Sequence, residues 1–279
     1  MFNLGPVELI VVVCVTSLPL GAFLYLRRKA RSTQPESFAA IHGFALTSSN
    51  RALVARYLDR SYRWRMTGAI LGWLIPFGTK IPGIEMIGGY LVGVVAAELT
   101  QARVRPDGPA SASLVPRRLS DYISPRVMVA MRAVSATVVL VALAYTFLPI
   151  RMVAAEHGAR PLWIATGIAV ALELAVEQIL RIIVKKPQPA TSRDVLAADD
   201  AIRSASIHAT AGATIAALLL ILAAGSFVLG IESSVSAVHW VVPFVGLACV
   251  VAAFVTWARM GHDHLWVVKR SAGRAEVSA

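Results

Sequence analysis

Six stretches of this chain run for about 20 residues with scarcely a charge among them, and a stretch of that kind has one stable setting. A helix rises about 1.5 Å per residue, so about 20 apolar residues match the roughly 30 Å hydrocarbon core of a bilayer. The runs are Val7 to Leu26, Ile81 to Leu99, Val127 to Ile150, Leu162 to Val184, Ala209 to Ile231 and Val238 to Ala258. Inside lipid every backbone N–H and C=O must find its partner within the segment, which leaves the α-helix as the form these runs take. Composition closes the alternative of a water-facing fold: 57% of residues are hydrophobic and only 15% charged, against roughly 25% charged in an average soluble domain. The expected fold class is therefore all-α, a polytopic transmembrane helix bundle forming a single domain over 1–279.

A seventh run, Met66 to Phe77, is shorter. Extending it back to Tyr62 brings it near spanning length if Arg63 and Arg65 snorkel towards the headgroups. The turn at Gly78, Thr79 and Lys80, with Pro82 and Gly83 beyond, then joins it to the next span as a hairpin. Residues 62–99 are either two full crossings or one re-entrant loop, since both return the chain to the side it left. The expected spans are thus 7–26, 62–77, 81–99, 127–150, 162–184, 209–231 and 238–258.

Charge sets the orientation. With the N-terminus outside and the C-terminus in the cytoplasm, segments 27–65, 101–126, 181–208 and 259–279 face inwards. They hold all of the 27 Lys and Arg except Lys80, Arg132, Arg151 and Arg160, as the positive-inside rule requires. No Lys or Arg precedes the first run, while Arg27, Arg28, Lys29 and Arg31 follow it, the reverse of a cleavable secretory signal. The excess of +11 accordingly belongs to membrane anchoring rather than to nucleic acid. A bacterial cytoplasmic membrane is the expected location, with the lipid bilayer and a membrane or cytoplasmic protein as partners.

From Asn50, expected as an N-cap, Leu53, Val54, Tyr57, Leu58 and Tyr62 recur at helical spacing among Arg51, Arg56, Arg60 and Arg63. This reads as a basic amphipathic helix over 50–62, lying on the inner leaflet or solvated as a linker. The Pro-, Ser- and Ala-rich stretch from Val104 to Pro116 reads as loop. An offset of 80 residues places Val104 on Val184, Pro109 on Pro189, Ala110 on Ala190, Ser111 on Thr191 and Val115 on Val195. The expectation is a parallel internal repeat, 85–148 on 165–228, of the kind some transporters use.

Few ionisable groups remain inside the runs, and each costs about 2.5 to 3.5 kcal/mol at the bilayer centre. Glu173 lies mid-span, with Glu177 and Arg181 following at i+4 and i+8 on one face. They form either a proton or cation relay opening to the cytoplasm or a charge ladder whose Arg181 snorkels. Glu98 and Arg132 lie near the inner ends of neighbouring spans and are expected to pair. Gly68 and Gly72 face Gly89, Gly93 and Ala97 across the hairpin as small-xxx-small stripes, so this should be the tightest helix pair. Cys14 and Cys249 lie apart in apolar runs, and His208 and His239 fall at opposite membrane faces, so neither a disulfide nor a metal site is expected. The tail run His262, Asp263, His264 lacks the helical i,i+4 spacing of a metal pair. No cofactor is expected.

Glu177, Gln178, Ile179, Leu180, Arg181 resembles half of the EExxxR motif of CAAX-type intramembrane proteases, although Val176 stands where the second Glu belongs and neither His208 nor His239 completes FxxxH. Phe2, Asn3, Leu4, Gly5, Glu8 and Leu9 resemble the start of twin-arginine translocase small subunits, which implies an N-out anchor. The chain is most similar to multi-pass membrane proteins of actinobacteria, through Lys185, Lys186, Pro187, Gln188, Pro189, Ala190 and through Ala197, Ala198, Asp199, Asp200, Ala201, Ile202, Arg203. That resemblance implies a membrane setting and supplies no activity. With no Walker A loop, Gly-rich nucleotide fingerprint or loop large enough for a catalytic domain, enzymology stands behind two other classes. These are a transport-related membrane component and a non-catalytic structural or regulatory membrane partner.

Overall fold

Thr47 and Asn50 start the longest helix of the N-terminal half by satisfying each other's neighbourhood. The Thr47 backbone N–H donates to Asn50 Oδ1 at 2.9 Å, and Asn50 Nδ2 donates to the carbonyls of Ala45 at 2.9 Å and Asp194 at 3.2 Å. Asn50 is therefore not the N-cap expected from its sequence position but the third helical residue, reaching back as in a capping box. The computed structural model describes residues 34–74, 84–103, 110–111, 117–147, 160–189, 192–232 and 236–260. The expected first span, the turn of the hairpin, most of the loop from Val104 to Pro116 and the tail with His262 and His264 lie outside the described residues.

The described residues are almost wholly helical: α1 Pro35–His42, α2 Ser48–Leu74, α3 Ile84–Arg103, α4 Pro125–Phe147, α5 Arg160–Lys185, α6 Arg193–Glu232 and α7 Ser236–Met260. A 3-10 turn at Leu119–Asp121 precedes α4, and Ala110 and Ser111 pair antiparallel with Pro189 and Gln188. Helix α1 begins with Pro35, whose fixed φ suits the first turn, and stops at Gly43, whose φ of 68° is the left-handed conformation that ends helices cheaply. Three helices, over Pro125–Phe147, Arg193–Gly230 and Val238–Met260, are long and apolar enough to cross a membrane.

Two helices reach far beyond their apolar runs. The amphipathic segment and the short span read separately from the sequence are one continuous helix, α2, of 27 residues. Helix α6 has 40 residues, about 60 Å at 1.5 Å per residue and twice a hydrocarbon core, because it begins well before the apolar run at Ala209. Its leading turns carry Asp194, Asp199, Asp200 and Arg203, which kept that stretch from reading as part of a span.

The chain divides into two compact units rather than the single domain expected. The first comprises residues 1–118, 182–206 and 264–279, and among its described parts are α1, α2, α3 and the start of α6. Its core gathers Phe38, Val54, Tyr57, Ala198, Ala201 and Ile202. The apolar stripe of α2 expected on the inner leaflet is thus covered by protein. Between α2 and α3 the backbones meet at glycine: a Cβ at Gly68 would strike Gly89 O and lie 2.8 Å from Gly93 Cα, and one at Gly89 would strike Gly68 O and lie 2.7 Å from Gly72 Cα. The small-residue stripes read from the sequence do bring these helices together.

The second unit comprises residues 119–181 and 207–263, taking in α4, most of α5, the rest of α6, and α7. Its helices bury one stripe each, including Met131, Val138 and Ala142 on α4, Ala169, Val176 and Leu180 on α5, and Ala211 and Leu218 on α6. Opposite faces expose Val129 and Leu140, Ile164 and Ile168, and Val241 and Phe244. Apolar faces bare on the outside and packed within are what a helix bundle offers to lipid. Gly230 on α6 leaves room for the Pro243 ring of α7, since a Cβ there would lie 2.5 Å from its Cγ and Cδ.

Candidate functional site

Five residues stand out from the sequence, Glu98, Arg132, Glu173, Glu177 and Arg181, and the structure distributes them over two places. The expected Glu98–Arg132 pair does not form. Arg132 donates from Nε and Nη2 to Glu177 Oε1, at 2.8 and 2.7 Å, while Arg181 Nη2 approaches Glu177 Oε2 at 3.5 Å. Helix α4 runs past the C-terminal half of α5, so the carboxylate one turn before Arg181 is the one within its reach. Glu177 therefore serves two arginines, and the charge ladder exists only in its lower half.

Glu173 stays out of this network. Thr166, Ala169, Val176 and Leu180 follow one stripe of α5 at spacings of three and four, all buried, and Glu173 occupies the remaining position of that stripe. Its side chain belongs to the packed face and not to the face that exposes Ile164 and Ile168. Among the described residues it has no hydrogen-bond or ion-pair partner, yet it alone in the stripe retains intermediate exposure. A carboxyl so placed has only apolar neighbours along its own helix, a setting that favours the protonated form over the anion.

Glu98 is wholly buried in the first unit. Tyr57 donates its hydroxyl to Glu98 Oε1 at 3.3 Å, Arg65 Nη2 lies 3.6 Å from the same oxygen, and Ser206 also hydrogen-bonds the carboxylate. Arg65, expected to snorkel outwards, instead turns into the protein, where Tyr90 joins it. Glu98 Oε2 and Arg65 Nε have no protein hydrogen-bond partner in this cluster. Burial, reinforced by the charge of Glu98, raises the Tyr57 phenol well above its usual range, so it remains a donor at all ordinary pH.

Below this cluster two basic side chains close helix ends. Lys186 Nζ donates to Gln101 O in the last turn of α3 at 2.9 Å, and burial pushes its ammonium below the usual lysine range. Arg203, itself buried, grips Asp199 Oδ2 through Nε and Nη2 at 2.9 and 2.8 Å. It also donates to the carbonyls of Ile183, Val184, Lys186 and Pro187, at 3.1, 3.4, 2.6 and 3.2 Å. These are the acceptors left open where α5 ends, and a cation there also suits the helix dipole. Sequence reasoning quoted Asp199 and Arg203 only for their resemblance; their i,i+4 spacing was the available signal. His239 Nδ1 shares a hydrogen bond with Gly230 O at 3.0 Å, and His208 is buried in α6.

Comparison of the chain with protein-family models, with curated proteins and with solved structures finds no match.

Proposed function

We propose that this chain is a transport-related component of a bacterial cytoplasmic membrane, with Glu173 as its proton- or cation-binding group. The observation that carries the reading is the placement of Glu173: a carboxyl on the packed face of α5, apart from the arginine pairs, with part of its surface still open. A group that loses little by being neutral and can be reached is suited to bind and release a proton. Purified protein in liposomes enclosing a pH-sensitive dye tests it, with an imposed membrane potential as the drive. Proton flux should exceed that of empty liposomes, and Glu173→Gln should abolish it while abundance and melting stay unchanged. Equal flux in protein-free liposomes and in those holding the wild type, or undiminished flux in the variant, would count against the relay.

Seven crossings, with the N-terminus outside and the C-terminus in the cytoplasm, belong to the same proposal and are supported by the distribution of Lys and Arg. A reporter active only in the cytoplasm should give signal when fused after Arg118, after Arg193 and at the C-terminus. Signal from a fusion between Ile231 and Val238 would reverse the topology. The parallel repeat is supported by the short antiparallel pair: with an offset of 80, Pro189 is the counterpart of Pro109, so a ladder setting Ala110 opposite Pro189 is one that two equivalent strands form about a local twofold axis.

One observation favours a second reading, a structural or regulatory membrane partner. Glu98, Glu177 and Asp199 are each committed to arginine, and such clamps hold a fold without moving anything.

A further inference from the structure

The arginine pair of the second unit has more positive charge than its carboxylate consumes. Arg132, Arg181 and Glu177 together carry a net charge of +1. The Glu177 side chain is only 13% exposed, whereas the guanidiniums on either side of it remain 58% and 55% exposed. Each guanidinium offers five N–H donors. Glu177 occupies the Nε and Nη2 of Arg132 and a single nitrogen of Arg181, and the remaining donors have no protein partner among the described residues.

What surrounds these donors is apolar. On α4 the positions at i+4 and i+8 from Arg132 are Ala136 and Leu140, both exposed; on α5 those at i−3 and i−7 from Arg181 are Gln178 and Leu174, also exposed. The two helices run in opposite directions, so both stripes lead away from the arginines the same way, towards the middle of the helices. Arg132 lies in the first turns of α4 and Arg181 one turn from the end of α5. A fixed cationic fork thus caps an apolar strip where a membrane helix meets the headgroup layer.

We propose that Arg132 and Arg181, oriented by Glu177 between them, bind the phosphodiester of an anionic phospholipid whose acyl chains lie along Ala136, Leu140 and Leu174. One negative charge on the phosphodiester matches the residual +1, and its two anionic oxygens match paired N–H donors. A zwitterionic lipid brings its own ammonium and loses this match. Free phosphate gains nothing from the apolar strip. The site requires only that α4 and α5 lie in lipid, and it stands whether or not Glu173 carries protons.

The test is retention of added phosphatidylglycerol by purified protein in detergent, read by native mass spectrometry, with phosphatidylcholine and inorganic phosphate as separate probes. Phosphatidylglycerol should be retained and the other two not. The double variant Arg132→Gln, Arg181→Gln should retain it about tenfold less or weaker still. Glu177→Gln raises the residual charge from +1 to +2 and should strengthen retention, an increase that a pair serving only to brace the fold would not produce. It also keeps the test decisive if the double variant fails to fold. Equal retention of phosphatidylcholine, binding of inorganic phosphate alone, or no gain in Glu177→Gln would each overturn the assignment.

Discussion

Replacing Arg203 by methionine should lower stability by about 3–5 kcal/mol, the range found when one partner is removed from a buried ion pair. Methionine fills much of the same space, so the loss is electrostatic rather than a cavity. It leaves Asp199 as a buried carboxylate without its cation and strips the donor from the carbonyls of Ile183, Val184, Lys186 and Pro187. Removing the orphaned charge as well, with Asp199→Ala added to Arg203→Met, should recover on the order of 1 kcal/mol, since neighbours in one network are not additive. Reversible unfolding in mixed micelles reads both values. A methionine variant that unfolds with the wild type would show that the clamp contributes nothing to stability.

At Gly89 the expected loss has the opposite origin, too much volume instead of too little charge. Gly89→Val should cost about 3 kcal/mol or more, the upper end of overpacking penalties, because the new atoms meet backbone on α2 and not a side chain that can rotate away. The helices can accommodate it only by moving apart along the whole stripe of Gly68, Gly72, Gly89 and Gly93. Gly88 is the control on the neighbouring position: an added Cβ there meets nothing within 4 Å. Gly88→Ala should therefore be neutral or stabilise by up to about 1 kcal/mol, the difference in helix propensity. If both substitutions unfold at the same denaturant concentration, contact between the two backbones is not what holds the hairpin.

What was legible in the sequence was what a single segment decides for itself. Apolar runs of bilayer length became helices, and the glycines of the hairpin met because spacings of four put them on one face. Helix ends were less legible. Asp194, Asp199, Asp200 and Arg203 interrupt the apolar pattern, so residues 193–208 read as a connection, although Asp199 and Arg203 satisfy each other at i,i+4 and let α6 start sixteen residues before its apolar run at Ala209. Pairing of charges was legible least. Similar depth in neighbouring spans made Arg132 the natural partner for Glu98, but depth says nothing about which faces meet. Tyr57, Arg65 and Ser206 reach Glu98 from other helices, and Arg132 finds Glu177 instead. Glu173 was singled out from its position alone, and its register among Ala169, Val176 and Leu180 follows from helical geometry once the buried stripe is known.

The Arg203 clamp also bears on how the chain is made. Helix α5 is synthesised with its last carbonyls bare, and the group that closes them is encoded 16 to 20 residues further on. A nascent chain released before residue 203 would expose an unfinished helix end at the mouth of the insertion machinery. One that has passed it acquires the cap together with the first turns of α6. Completion of α5 is thus tied to the emergence of the next helix, and a ribosome paused just before Arg203 should leave a chain far more open to membrane proteases than one paused two turns later.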